Sequence, residues 1–329
     1  MMTHEWHKAA LKALHPEDVP YIVMLMGSFG ELRGVAPLVQ RHDTDSLRFL
    51  SSIAIPEPAA VLADSEESLR TLISGVKELG FPLELGRIPA DIWEPELLQG
   101  SLGRLPFHVI REEGGSPWLQ VQPEWEEFEQ GISGRRRSDL RRSYRQAEAH
   151  GELSVEFLSA SEGNPKELLE RYIEVERCSW KSLAETTILD WPRMYRFFEH
   201  LIENYPGIVF GFLFLGGKPA AAQIGVIHAR TLWVLKIAFH EDFRKCSPGV
   251  ILMHEMIRYA HERRLQFFEF LGYEENWIRT WTTESRRYYT LNLYPYSQRG
   301  LTRLGKDVVA NLKTRYGRSS LSESGERGQ

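Results

Sequence analysis

AFHEDFRKCSPGVILMHEMIRYA, Ala238 to Ala260, changes its structural period partway along. The residues leading in, TLWVLKIAFH (Thr231 to His240), are apolar, β-branched and aromatic, which is the composition of a strand. Beyond the turn, Met253, Met256, Ile257 and Ala260 recur at helical spacing. The switch falls between His240 and Gly249. Ser247 suits an N-cap, Pro248 suits the first helical position, where its missing amide hydrogen costs nothing, and Gly249 permits close backbone approach. A helix tip built this way presents unpaired amides and about half a unit of positive charge, a seat for a phosphate, with Arg244 and Lys245 beside it. Taken alone, the turn reads equally well as an ordinary cap flanked by two solvated cations.

The rest of the chain bounds what such a seat could serve. Its 329 residues favour two domains over one, and 42% hydrophobic with 26% charged residues is an ordinary globular composition. A net charge of -5 gives no general attraction to nucleic acid, so phosphate contact would have to be local. The two cysteines, Cys178 and Cys246, are not paired in a metal-binding pattern and fit a reducing compartment; no metal site is expected. The N-terminal residues lack a signal-peptide pattern and no apolar run is long enough to span a membrane, which together predict a cytoplasmic protein.

Helical and extended patterns alternate throughout, predicting an α/β fold with a mixed sheet. Tyr21 to Met26 and Glu31 to Val39 read as a hairpin, Ser65 to Gly80 as a helix, and Phe81 to Pro89 as a strand. A short helix is expected at 91–103, then two strands, Phe107 to Ile110 and Pro117 to Val121, around a loop EEGGS. Pro123 to Gly151 reads as a charged connecting helix, which puts a boundary near residue 122. The second half is expected as a strand at 153–158, helices at 165–180 and 191–205, and strands at 207–215, 219–228 and 231–239. It then continues with a helix at 249–264, strands at 266–271 and 288–294, a last helix near 300–314 and a disordered tail at 317–329.

Four segments, GRRRSDLRRSYRQAEAHG (Gly134 to Gly151), ERCSWK (Glu176 to Lys181), Gly216 to Gly249 and FFEFLGYEENW (Phe267 to Trp277), together resemble the GNAT superfamily of acyl-CoA N-acyltransferases. The similarity is to its CelD-like branch, related to the Fem aminoacyl transferases. In the family the pyrophosphate loop runs Arg or Gln, two residues, Gly, one residue, Gly or Ala. Here Arg244 and Gly249 match its ends while Ser247 replaces the first glycine, and Asn276-Trp277 stands where a Tyr-Lys pair is common. The resemblance implies tandem GNAT-like domains: a degenerate one at 1–122, and one at 123–316 that includes the connecting helix and carries the acyl-CoA site.

It also implies a function. An acyl group, acetyl or longer, would pass from a CoA thioester to a small amine such as an amino sugar or glycan precursor, by direct attack in a ternary complex. Aminoacyl transfer from charged tRNA and a non-catalytic binding protein are the alternatives. The cofactor surface implied is the backbone of Ile237, Ala238 and Phe239, with Arg244, Lys245, Ser247, Gly249 and Val250 at the diphosphate. Catalytic or acceptor-site candidates are Glu176, Lys181, Lys236, Glu269 and Tyr273. Each has a plainer reading: Lys236 as the solvent-facing member of an alternating strand, Glu269 as a paired structural carboxylate, Glu176 and Lys181 as surface charges five residues apart. Gln223 reads as a satisfied structural amide. Six arginines between Arg135 and Arg145 form either a solvated helix face or a contact for an anionic ligand or tRNA, and the acidic chain favours the small ligand.

Overall fold

The computed structural model describes residues 3–51, 55–102 and 107–310, so the expected tail at 317–329 lies outside the described residues. The elements form a mixed α/β structure, as expected. Two compact units result, but no single cut near residue 122 separates them. One unit takes residues 1–16, 51–58 and 114–287; the other takes 17–50, 59–113 and 288–329.

The reason for the interleaving is an apolar helix face. In helix His4–Leu14, Trp6, Ala9, Ala10, Ala13 and Leu14 are buried, and they share a core with Phe197, Phe198, Leu201 and Ile202 of helix Pro192–Asn204. Trp6 meets Phe197 edge-on at 5.1 Å, and its indole N–H donates to Glu57 Oε1 at 3.1 Å. Each large side chain withdrawn from water in this way contributes roughly 1.5–3 kcal/mol. Helix 4–14 therefore belongs with the far half of the chain.

The sheet of this unit runs in the order 114–120, Phe267–Glu269, Thr231–Phe239, Lys218–His228, Ile208–Leu215, Leu153–Ser159. Strand 208–215, IVFGFLFL, is buried almost end to end, because helices cover both faces. Helices Pro165–Arg177, 192–204 and 4–14 contribute to one core, and helix Pro248–Glu262 contributes to the cores of the other face. Helix 248–262 crosses from strand 231–239 to strand 267–269, which lies parallel to it. The other pairings of this row are antiparallel among the described residues.

Two expectations require correction here. Pro123 to Gly151 is not one helix but two, Trp125–Gly131 and Gly134–Glu148, the second capped by Ser133 Oγ, which accepts from the Arg136 amide. The EEGGS segment is not a loop, because Phe107–Gln120 is one strand. A Cβ on Gly114 would lie 2.9 Å from the Tyr273 ring, and one on Gly115 only 2.0 Å from Ser285 Oγ. These glycines admit close neighbours rather than reverse the chain.

In the other unit, Val19–Met26 and Leu32–Gln40 form the expected hairpin, and Gly30 has the positive φ its turn needs. Strands Leu47–Phe49, Leu83–Pro89 and residues 288–294 complete the row, and helix Glu66–Glu78 buries Leu69, Leu72, Ile73 and Val76. The short helix expected at 91–103 is Pro95–Leu102.

Candidate functional site

Strand 231–239 is paired along its whole length with 218–228 but only briefly on its other side. Thr231, Leu232 and Trp233 face Phe267, Phe268 and Glu269, and the pairing ends there. Leu271 and Gly272, both at positive φ, turn the partner chain away. Register with 218–228 shifts between Val234 and Lys236, a bulge at Leu235. Six residues, 234–239, thus continue past the last pair.

Their backbone direction follows from one hydrogen bond. His240 N–H donates to Ala220 O, so by alternation Ala238 turns its polar backbone toward 218–228, and Ile237 and Phe239 turn theirs toward the opened side. Ile237 O accepts there from Lys181 Nζ at 2.5 Å. Of the three backbone candidates, Ile237 and Phe239 turn their polar groups to the opened side and Ala238 does not.

The same strand leads into the helix tip. A short 3-10 turn, Glu241–Cys246, is anchored by buried Phe243 and Cys246, and Ser247 follows in the left-handed region (φ 52°). Ser247 occupies the N-cap position as expected, yet its side chain makes no capping bond. Pro248 has no N–H, Val250 and Ile251 bond back to Ser247 O, and the Gly249 N–H has no partner among the described residues. Arg244, Lys245 and Ser247 are exposed, Gly249 and Val250 half-buried. Among the described residues Arg244 has one ion-pair partner, Glu241, at 3.9 Å. The tip is accessible and uncapped, which suits an anion.

Behind the bulge lies a charged cluster. Helix 165–177 stops at Cys178, Ser179 Oγ accepts from the Lys181 amide, and a one-turn helix Trp180–Leu183 begins. That break brings Lys181 Nζ back to within 3.9 Å of Glu176 Oε1, although the two residues are five apart. Glu176, 1% exposed, also accepts from Tyr172 OH at 3.2 Å and from the Ile188 amide at 2.7 Å. Burial and the neighbouring Lys236 push the Lys181 ammonium down to about 8 against the pull of Glu176. Lys236 is lowered too, by burial, with Glu176 raising it. Tyr172 and Ile188 were not anticipated. The spacing of Tyr172 and Glu176, one helical turn, was the available signal.

Other candidates are placed differently. Glu269 is fully buried and accepts from Arg286 Nε at 3.0 Å and Nη2 at 2.8 Å. Tyr273 is exposed on the turn after strand 267–269 and packs over Gly114. Gln223 is buried with neither amide atom hydrogen-bonded among the described residues, which overturns its reading as a satisfied amide. On helix 134–148, Arg135, Arg136, Arg141, Arg142 and Arg145 are exposed, while Arg137 donates to the Glu129 and Gln130 carbonyls. Tyr144 and Ala147 of this helix pack with Phe243 and Cys246 of the turn that precedes the tip. Among the described residues no cluster of His, Cys, Asp and Glu could hold a metal, and no helix is long and apolar enough to cross a membrane.

Residues 134–279 match the family model described as an acetyltransferase (GNAT) domain. No curated protein sequence matches the chain. Among solved structures, the fold is similar to FemX, with TM-score 0.62 and 12% identity over 87% of this chain and 90% of that one. It is also similar to the C-terminal domain of a putative lysylphosphatidylglycerol synthetase from Agrobacterium fabrum (0.58, 10%, 93% and 96%). A third is L-PGS from Bacillus licheniformis (0.56, 13%, 92% and 95%). At these identities the likeness is one of fold.

Proposed function

Because residues 134–279 match an acetyltransferase (GNAT) domain model, we propose that the chain is an N-acyltransferase taking its acyl group from a CoA thioester. The observation that carries this reading is the pairing of an opened strand edge with an uncapped helix tip on consecutive elements. Ile237 and Phe239 would pair with the amides of the cofactor arm. Gly249 N–H, Arg244 and Lys245 would hold the diphosphate. Bound there, the cofactor supplies an activated acyl carbonyl and a thiolate leaving group.

The chain's own residues then position the reactants. A small amine, such as that of an amino sugar or glycan precursor, attacks the carbonyl: its N–C bond forms, the C–S bond breaks, one amine proton goes to a base, and the thiolate gains a proton. Lys181, held near 8, is mostly protonated at neutral pH, so water is our candidate for the base. Tyr273, exposed on its turn, is the candidate acid for the thiolate. Glu269 supports the fold through Arg286. The second unit is read as a degenerate GNAT-like partner, and the protein as cytoplasmic.

CoA or acetyl-CoA should raise the melting temperature, and reversing both charges (R244E with K245E) should remove the shift. An absent shift with every acyl-CoA would sink this reading. Aminoacyl transfer from tRNA is the second reading, favoured by the five exposed arginines of helix 134–148, which have no ion-pair partner among the described residues. It requires RNA binding that weakens steeply with salt, so a filter-binding blank at low salt removes it. CoA binding with no thiol released over a panel of amines would instead favour a binding protein.

A further inference from the structure

Lys181 and Lys236 share a single carboxylate. Glu176 spends its oxygens on Tyr172, Ile188 and Lys181. Lys236 is half-buried beside the bulge, and its ammonium has no hydrogen bond or ion pair among the described residues. Trp233, three residues earlier and packed on the same helix-covered face as Leu235, buries an indole N–H that also lacks an acceptor. The strand therefore offers two unmatched donors, and Lys236 brings the Glu176–Lys181 pair to a net charge of +1. Cations half-withdrawn from water gain most from an anion that arrives with a ligand. A net +1 matches one negative charge, whereas the diphosphate has its own seat at the helix tip.

We propose that Lys236, with Lys181 and Trp233, binds a carboxylate carried by one of the two reactants, either the amine acceptor or the acyl group. The inference rests on the acyl-transfer reading above for the identity of the reactants, though not for the existence of the anion site. Either source places an acceptor-only group against donor-only side chains.

Calorimetry on the whole chain separates the sources. In the donor arm, succinyl-CoA is compared with acetyl-CoA. In the acceptor arm, glycine is compared with glycinamide on protein loaded with CoA. One arm should favour the carboxylate by about tenfold or more, and Lys236→Met should cut that preference to under about twofold while leaving CoA affinity unchanged. Lys236→Arg should keep part of it. Preference lost in neither arm on Lys236→Met, or absent from both in the wild type, overturns the proposal. The glycine and glycinamide pair, repeated without CoA by thermal shift, keeps the two readings apart. Carboxylate preference without CoA binding retains the anion site and removes the CoA reading; CoA binding with no preference does the reverse.

Discussion

Glu176 and Glu269 are both buried carboxylates next to strand 231–239, and they are matched in opposite ways. Glu269, across from Trp233 where the strands still pair, receives two N–H groups of one guanidinium. Glu176, beside the opened stretch, stands between two ammonium groups, of which only Lys181 comes within ion-pair distance. Both N–H groups reach the same oxygen, Oε1, and the guanidinium supplies one full countercharge to the carboxylate. Two lysines on one carboxylate leave a charge over. The fold neutralises its ions where the sheet is closed and leaves them unbalanced where it opens, beside the stretch proposed above to hold the cofactor arm.

The comparison can be broken experimentally. Arg286→Met should have the largest effect, lowering stability in urea unfolding by about 3–5 kcal/mol, because a buried carboxylate loses its cation. Glu176→Gln keeps its one carbonyl oxygen for the Ile188 amide, while the Tyr172 hydroxyl can turn to accept from the new NH2, and it should cost less, about 1–3 kcal/mol. A loss equal to that of Arg286→Met would put both carboxylates in one class and end the distinction.

Stability against pH sharpens it further. Folded Lys181 titrates near 8 and an unfolded lysine near 10.4, so between pH 8 and 9.5 the unfolded chain binds more protons and stability rises with pH. The rise should be about 1–2 kcal/mol and should flatten in Lys181→Met. Above pH 10 the buried hydroxyls of Tyr172 and Tyr144, raised chiefly by burial, ionise first in the unfolded chain and reverse the slope. The smallest effect is expected from Lys236→Met, a gain of about 1 kcal/mol once a half-buried, unpaired cation is replaced by an apolar chain of similar length. A loss would show that the ammonium already has its counter-ion.

Local pattern made much of this legible. The change of period between His240 and Gly249 located strand, turn and helix to within a residue or two, since each element is built from neighbours in sequence. The cluster around Glu176 was half legible: its residues were named, but the helix break at Cys178 that folds Lys181 back depends on Ser179 finding backbone partners. Arg286 as the partner of Glu269 was not legible at all. Nothing within a few residues of either side chain anticipates a pair formed between a strand and a segment seventeen residues on. The unsatisfied amide of Gln223 was hidden for the same reason, as alternation says which way a side chain points but not what it meets.

Helix 4–14 is synthesised long before the helix it packs against, Pro192–Asn204. At ordinary rates of synthesis its apolar face waits roughly 10–40 seconds for that wall to appear. A nascent chain held at residue 150 should therefore be a good client for chaperones, and a fragment begun at residue 123 should leave Phe197 and Phe198 bare and precipitate.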